Sequence, residues 1–115
     1  MAALQEKRRY KRFDFQKSVK IFPVLPSKSG NIYEVQTQAV QVKAVDISEG
    51  GLRLETDADL NENFLVKMHF EMTKDRPVEV FGRIMWSSEK QHGIRFMIAD
   101  HEIQHGVRAI AKKKA

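Results

Sequence analysis

Two arginines four residues apart, Arg8 and Arg12, and a later run, Asp46-Ile47-Ser48-Glu49-Gly50-Gly51, are the residues of this 115-residue chain best suited to chemistry. The spacing of four puts both guanidinium groups on one face whether the segment is helical or extended. A guanidinium is a planar fork that matches two phosphate oxygens. It also matches the O6/N7 edge of guanine, and its plane stacks on a base. An ionised carboxylate only accepts hydrogen bonds, so Asp46 suits the N–H donors of guanine's Watson–Crick edge, while Ser48 can donate or accept. In an extended chain Asp46 and Ser48 project to the same side. Gly50 and Gly51 then permit a sharp turn and a close approach of another group to the backbone. Together these residues fit a ligand that carries both phosphates and guanines.

The charge is arranged to serve such a ligand. The net charge is +5, yet Lys7, Arg8, Arg9, Lys11 and Arg12 supply five positive charges in one run and Lys112 to Lys114 supply three more, so the rest of the chain carries −3. Anion-binding potential therefore sits at the two ends of a mildly acidic body. The C-terminal lysines read as a solvated tail. The N-terminal run differs because Tyr10, Phe13 and Phe15 are mixed into it, and tails that serve only solubility rarely carry aromatics. The length fits one domain with a single core. With no cysteine, disulfides and thiolate metal sites are excluded. No apolar stretch approaches a membrane span, and the first residues lack the hydrophobic centre of a secretory signal, so a cytoplasmic location is expected.

Period-two alternation from about residue 17 to 97 supplies the scaffold. Val19 and Ile21 suggest a first strand, and Pro23, Pro26 and the polar residues after them suggest a turn. A long strand is expected from Ile32 to about Ile47, with a bulge near 37–40 where the alternation changes phase. Leu52 and Leu54 mark the next strand, with Arg53 pointing outward. Val66, Met68, Phe70 and Met72 mark another; Val78, Val80, Gly82, Ile84 and Trp86 share a face of a fifth; Gly93 to Phe96 open a sixth. Sequential strands with short turns imply an antiparallel sheet, and closure into a barrel removes the exposed edges. From Asp100, read as the N-cap, Ile103, Val107 and Ile110 form a helical stripe. The fold class is thus mainly β, a six-stranded antiparallel barrel with a C-terminal helix packed across it. The expected divisions are a mobile basic arm over residues 1–16, the barrel over 17–99, and a helix with a basic tail over 100–115.

The set Arg8…Arg12, Asp46-x-Ser48-x-x-Gly51, Gly82-Arg83-Ile84-Met85-Trp86 and Gly93-Ile94-Arg95-Phe96 resembles the PilZ domain family. That family's pattern is R-x-x-x-R, then [D/N]-x-S-x-x-G, then a strand ending in tryptophan and a G-x-x-F strand. The order matches, and the match covers nearly the whole chain. The resemblance implies a non-enzymatic barrel that binds cyclic di-GMP. It implies that Arg8 and Arg12 grip phosphates and guanine edges, with Arg9 assisting. It places Asp46 and Ser48 on guanine, with Gly51 keeping the surface open beside them. It leaves open whether one ligand or a stacked pair binds, a choice influenced by the residue before the first arginine, here Lys7. A downstream protein partner is implied, with no cofactor or metal.

Three other readings compete. One is a PilZ fold that mediates protein contacts without the ligand. Another is a nucleic-acid binder using the basic arm, which the acidic balance of the body argues against. The third is a metal-dependent hydrolase, because His101-Glu102-Ile103-Gln104-His105 spells H-E-x-x-H. On a helix, however, His101 and His105 lie opposite the Ile103/Val107/Ile110 stripe, and no ligand-type residue follows within the last ten. His69 reads as a solvated outward residue, and His92 as a turn residue. Met68, Met72, Met85 and Met97 read as core or near-core packing, Trp86 as a core anchor, and Arg95 as surface.

Overall fold

The computed structural model describes residues 11–28, 30, 32–98 and 100–114. Its strands are β1 (Phe13–Pro26), β2 (Tyr33–Val35), β3 (Val40–Ile47), β4 (Gly51–Glu55), β5 (Leu65–Thr73), β6 (Arg76–Ser88) and β7 (Gln91–Phe96), followed by helix α1 (His101–Lys114). The sheet order is β2-β1-β3-β4-β7-β6-β5, every pairing described is antiparallel, and β1 pairs again with β5. That last pairing closes β1, β3, β4, β7, β6 and β5 into a six-stranded barrel, with β2 flanking it. The expected fold class holds.

Alternation builds the core. Val19, Ile21, Ala44, Ile47, Leu52, Leu54, Met68 and Ile84 are fully buried, and Phe15 meets Phe70 edge-to-face with ring centroids 5.8 Å apart. Helix α1 covers one end of the barrel, packing on β1 and β5. Ile103 and Val107 are buried in the core, and Gly106 lets the helix sit against Met72, where a Cβ would come within 2.2 Å of Cγ. Asp100 caps the helix as expected, its Oδ1 accepting from Ile103 N at 3.0 Å.

Several expectations need correction. β1 runs through Pro23 and Pro26, where a turn was expected. The strand survives both prolines because it changes partners there: pairing with β3 ends at Ile21, and β5 and β2 take over toward Pro26. The sheet also takes in residues 13–16. The expected strand from Ile32 to Ile47 is two strands separated by residues 36–39, which accounts for the change of phase there. Trp86 is not a core anchor but 38% exposed, because a register shift between Ile84 and Trp86 turns it out of the inward series. Met85, at that shift, and Met97, beyond the end of β7, are exposed, while Met68 and Met72 are core. His92 lies on β7, not in a turn. It is buried, with Nδ1 2.8 Å from Ser87 Oγ. His69 is half-buried rather than freely solvated, its ring beside Phe22 and its Nε2 2.6 Å from Glu79 Oε2.

Candidate ligand-binding site

The start of β1 lies beside the end of β3, with Phe13 opposite Ile47 and Asp14 opposite Asp46. This register delivers the chain before Phe13 to the barrel rim that carries the Asp46–Gly51 run. Strand alternation alone would send Asp46 inward with Val42 and Ala44. Two coincident irregularities prevent this. The β1–β3 register shifts between Asp14 and Lys17, and the β3–β4 register shifts between Ala44 and Asp46. Against β4 the extra residue is Val45, whose carbonyl accepts from Gln16 Nε2 at 3.2 Å; between β1 and β3 the extra residue is on β1. A bulge of this kind re-aims the side chain that follows it. Ile47 takes the buried position, and the Asp46 side chain is left 13% exposed.

Asp46 holds two arginines. Arg12 Nε reaches its Oδ1 at 2.6 Å, and Arg53 Nη2 reaches its Oδ2 at 2.7 Å. Arg53 escaped the sequence reading, which saw only an outward residue. Hairpin arithmetic contains the missing signal: a turn closing Ile47 on Leu52 places Asp46 directly opposite Arg53. Across the other edge of β4, Arg53 faces Gly93, and the Trp86 indole lies over that glycine, where a Cβ would come within 2.1 Å of Nε1. The outer face of the rim therefore carries arginine, carboxylate, arginine and an exposed indole, a set able to bind anions, accept from N–H donors and present a flat surface to a base.

The turn after Asp46 is built from its own residues. Ser48 N donates to Gly51 O at 2.9 Å, and Ser48 Oγ accepts from Gly50 N at 3.1 Å and Gly51 N at 3.2 Å. The serine is 2% exposed. Gly51 does not keep a surface open, as the resemblance implied. A Cβ there would lie 2.1 Å from the backbone oxygen of Ile94, so glycine is needed for β7 to pass. Gly50 O accepts from Phe96 N at 2.9 Å, and Glu49 Oε1 lies 3.5 Å from Arg108 Nη2, which ties the turn to α1.

Among the candidate residues, the structure thus joins Arg12 to Asp46 and places Ser48, Gly50 and Gly51 in the adjoining turn. Arg8 and Arg9 lie outside the described residues. Arg95 points outward. His101 and His105 are exposed on α1, away from its buried stripe, and no group of three metal-ligating side chains occurs among the described residues.

The family model for the PilZ domain matches residues 6–112, and the chain belongs to that family of cyclic di-GMP-binding and effector domains. No functionally curated protein matches it. Three solved structures share the fold at low sequence identity. The PilZ domain of CeSA from a cellulose-synthesizing bacterium is 16% identical, with a TM-score of 0.59 over 91% of this chain and 99% of that one. The Bacillus subtilis inhibitor of motility MotI/DgrA is 15% identical, with a TM-score of 0.68 over 93% of this chain and 51% of that one. The PilZ domain of Escherichia coli YcgR, solved with c-di-GMP, is 10% identical, with a TM-score of 0.61 over 94% of each chain. No helix among the described residues is long and apolar enough to cross a membrane.

Proposed function

We propose that this chain is a cytoplasmic, non-catalytic receptor for cyclic di-GMP, which it binds between its arginine-rich N-terminal arm and the Asp46–Gly51 rim. The observation that carries the reading is the Arg12–Asp46 ion pair at 2.6 Å, which joins the two family motifs at one end of the barrel. Arg8, Arg9 and Arg12 take phosphates and guanine edges, and Asp46 accepts from a guanine. Ser48, Gly50 and Gly51 shape the rim beside it, the serine by holding the turn from within. The YcgR domain, solved with this dinucleotide, supports the ligand class.

Binding must exchange contacts as well as form them. Arg12 is 46% exposed and already satisfied by Asp46, so its pair is weak and can be traded for a phosphate. Three or four charge-assisted contacts at roughly 1.5–3 kcal/mol each, less about 2–5 kcal/mol for ordering the arm, leave room for micromolar affinity or better. Closure of the arm changes the surface offered to a downstream protein, which is how the signal leaves the domain.

The test is selectivity. Equilibrium titration should show saturable binding of cyclic di-GMP and at least about a hundredfold weaker binding of cyclic di-AMP, whose bases lack the guanine donor edge. Comparable binding of both, or binding only to duplex DNA with a steep salt dependence, would contradict the reading.

A further inference from the structure

We infer that Arg53 is a positioning residue for guanine recognition: it holds Asp46 as an oriented acceptor while Arg12 transfers from that carboxylate to the ligand. The inference rests on the reading of Asp46 as the guanine acceptor.

The two arginines on Asp46 are not equivalent. Arg12 precedes the first residue of β1 and continues into the basic arm. Arg53 sits in the middle of β4, paired on one side with Asp46 and on the other with Gly93, and its Nη1 lies 3.5 Å from Gln91 Oε1. Its Nε is buried with no acceptor, so the guanidinium is held partly inside the surface rather than freely solvated. Arg12 lies outside any strand and is 46% exposed, so it can leave its oxygen without breaking a strand pairing. Arg53 is rooted in a strand paired on both edges and keeps a second contact at Gln91, so it stays beside Asp46 when Arg12 goes.

A second carboxylate makes this anchor necessary. Asp14 lies directly opposite Asp46 on the outer face, and like charges in that position repel. Asp14 has its own partner, Gln16 Nε2 at 2.9 Å, but that amide brings no charge. While Arg12 pairs with Asp46, two cations offset the acidic pair. Once a phosphate draws Arg12 away, only Arg53 holds the carboxylate in place, with Oδ2 engaged and Oδ1 released to accept from a guanine N–H. Without Arg53 the carboxylate would turn from Asp14 at the moment the base needs it.

A double-mutant cycle in ligand affinity reads this role. Arg53→Met should weaken cyclic di-GMP binding by about tenfold or more in the wild-type background and by less than about twofold in an Asp46→Asn background, since a residue that acts through Asp46 loses its effect when the carboxylate is gone. Arg53→Lys should recover most of the loss, because it restores the cation. Arg53→Gln replaces Arg53→Met in the cycle if the methionine variant does not fold. Equal losses in both backgrounds would show that Arg53 touches the ligand itself and overturn the positioning role, as would an unchanged affinity or a lysine variant no better than methionine. Wild-type protein that does not bind cyclic di-GMP overturns the receptor reading and this inference together. Wild-type binding with an unaffected Arg53→Met overturns this inference alone.

Discussion

Ser48 Oγ is the acceptor for two backbone N–H groups within three residues of its own position, and the side chain is almost fully buried. Replacing it with alanine leaves both donors without that acceptor. Ser48→Ala should therefore lower unfolding stability by about 1–3 kcal/mol, read from denaturant midpoints, besides any effect on ligand affinity. Loss of affinity with unchanged stability would mean that the hydroxyl serves the ligand and not the turn. Residue types and spacing singled out Arg12 and Asp46, each as a group for a ligand, because arginine and carboxylate advertise their chemistry; they did not show that the two pair with each other. They did not reveal that Gly51 yields to the Ile94 carbonyl. Nor did they disclose Arg53, whose partner is set by hairpin register and not by side-chain type.

The elements owe their aim to irregularities. Without the extra residue at Val45, Asp46 would face the core; with the shift before Trp86, an indole that alternation assigns to the interior lies outside over Gly93. Alternation was readable, and it located most strands and the helix stripe. Bulges were not, since each depends on two strands and a single strand's pattern carries no record of its neighbour. On the outer face of β5 and β6, Glu79 lies 3.2 Å from Lys67 Nζ and 2.6 Å from His69 Nε2. The Lys67 hydrogen bond is the main influence holding the Glu79 carboxyl below its ordinary value of 4.5, and His69 adds to it. A lowered folded-state value means that the carboxylate favours the native state above pH 4.5 and loses that contribution as pH falls through the lower value. Wild type should melt above Glu79→Gln at neutral pH, and the gap should close in melting curves taken below pH 4.5. A gap that persists in acid would assign the difference to packing.

At the scale of the molecule, closure of the barrel was foreseeable because a flat sheet would leave two edges open. The flanking strand β2 was not, since three exposed residues carry no burial pattern. The architecture brings the start of β1 and helix α1 to one end of the barrel. The arm enters beside Ile47, and α1 crosses that end with Arg108 against Glu49. Amide exchange over residues 5–13 should slow on adding cyclic di-GMP, and identical exchange with and without it would rule out arm closure as the signal. The central claim is tested most directly by calorimetric titration of cyclic di-GMP into wild-type protein and into Arg12→Ala. Wild type should give a saturable isotherm at micromolar affinity or tighter, and the variant should give none. A silent wild type, or a variant that binds as wild type does, would contradict the account.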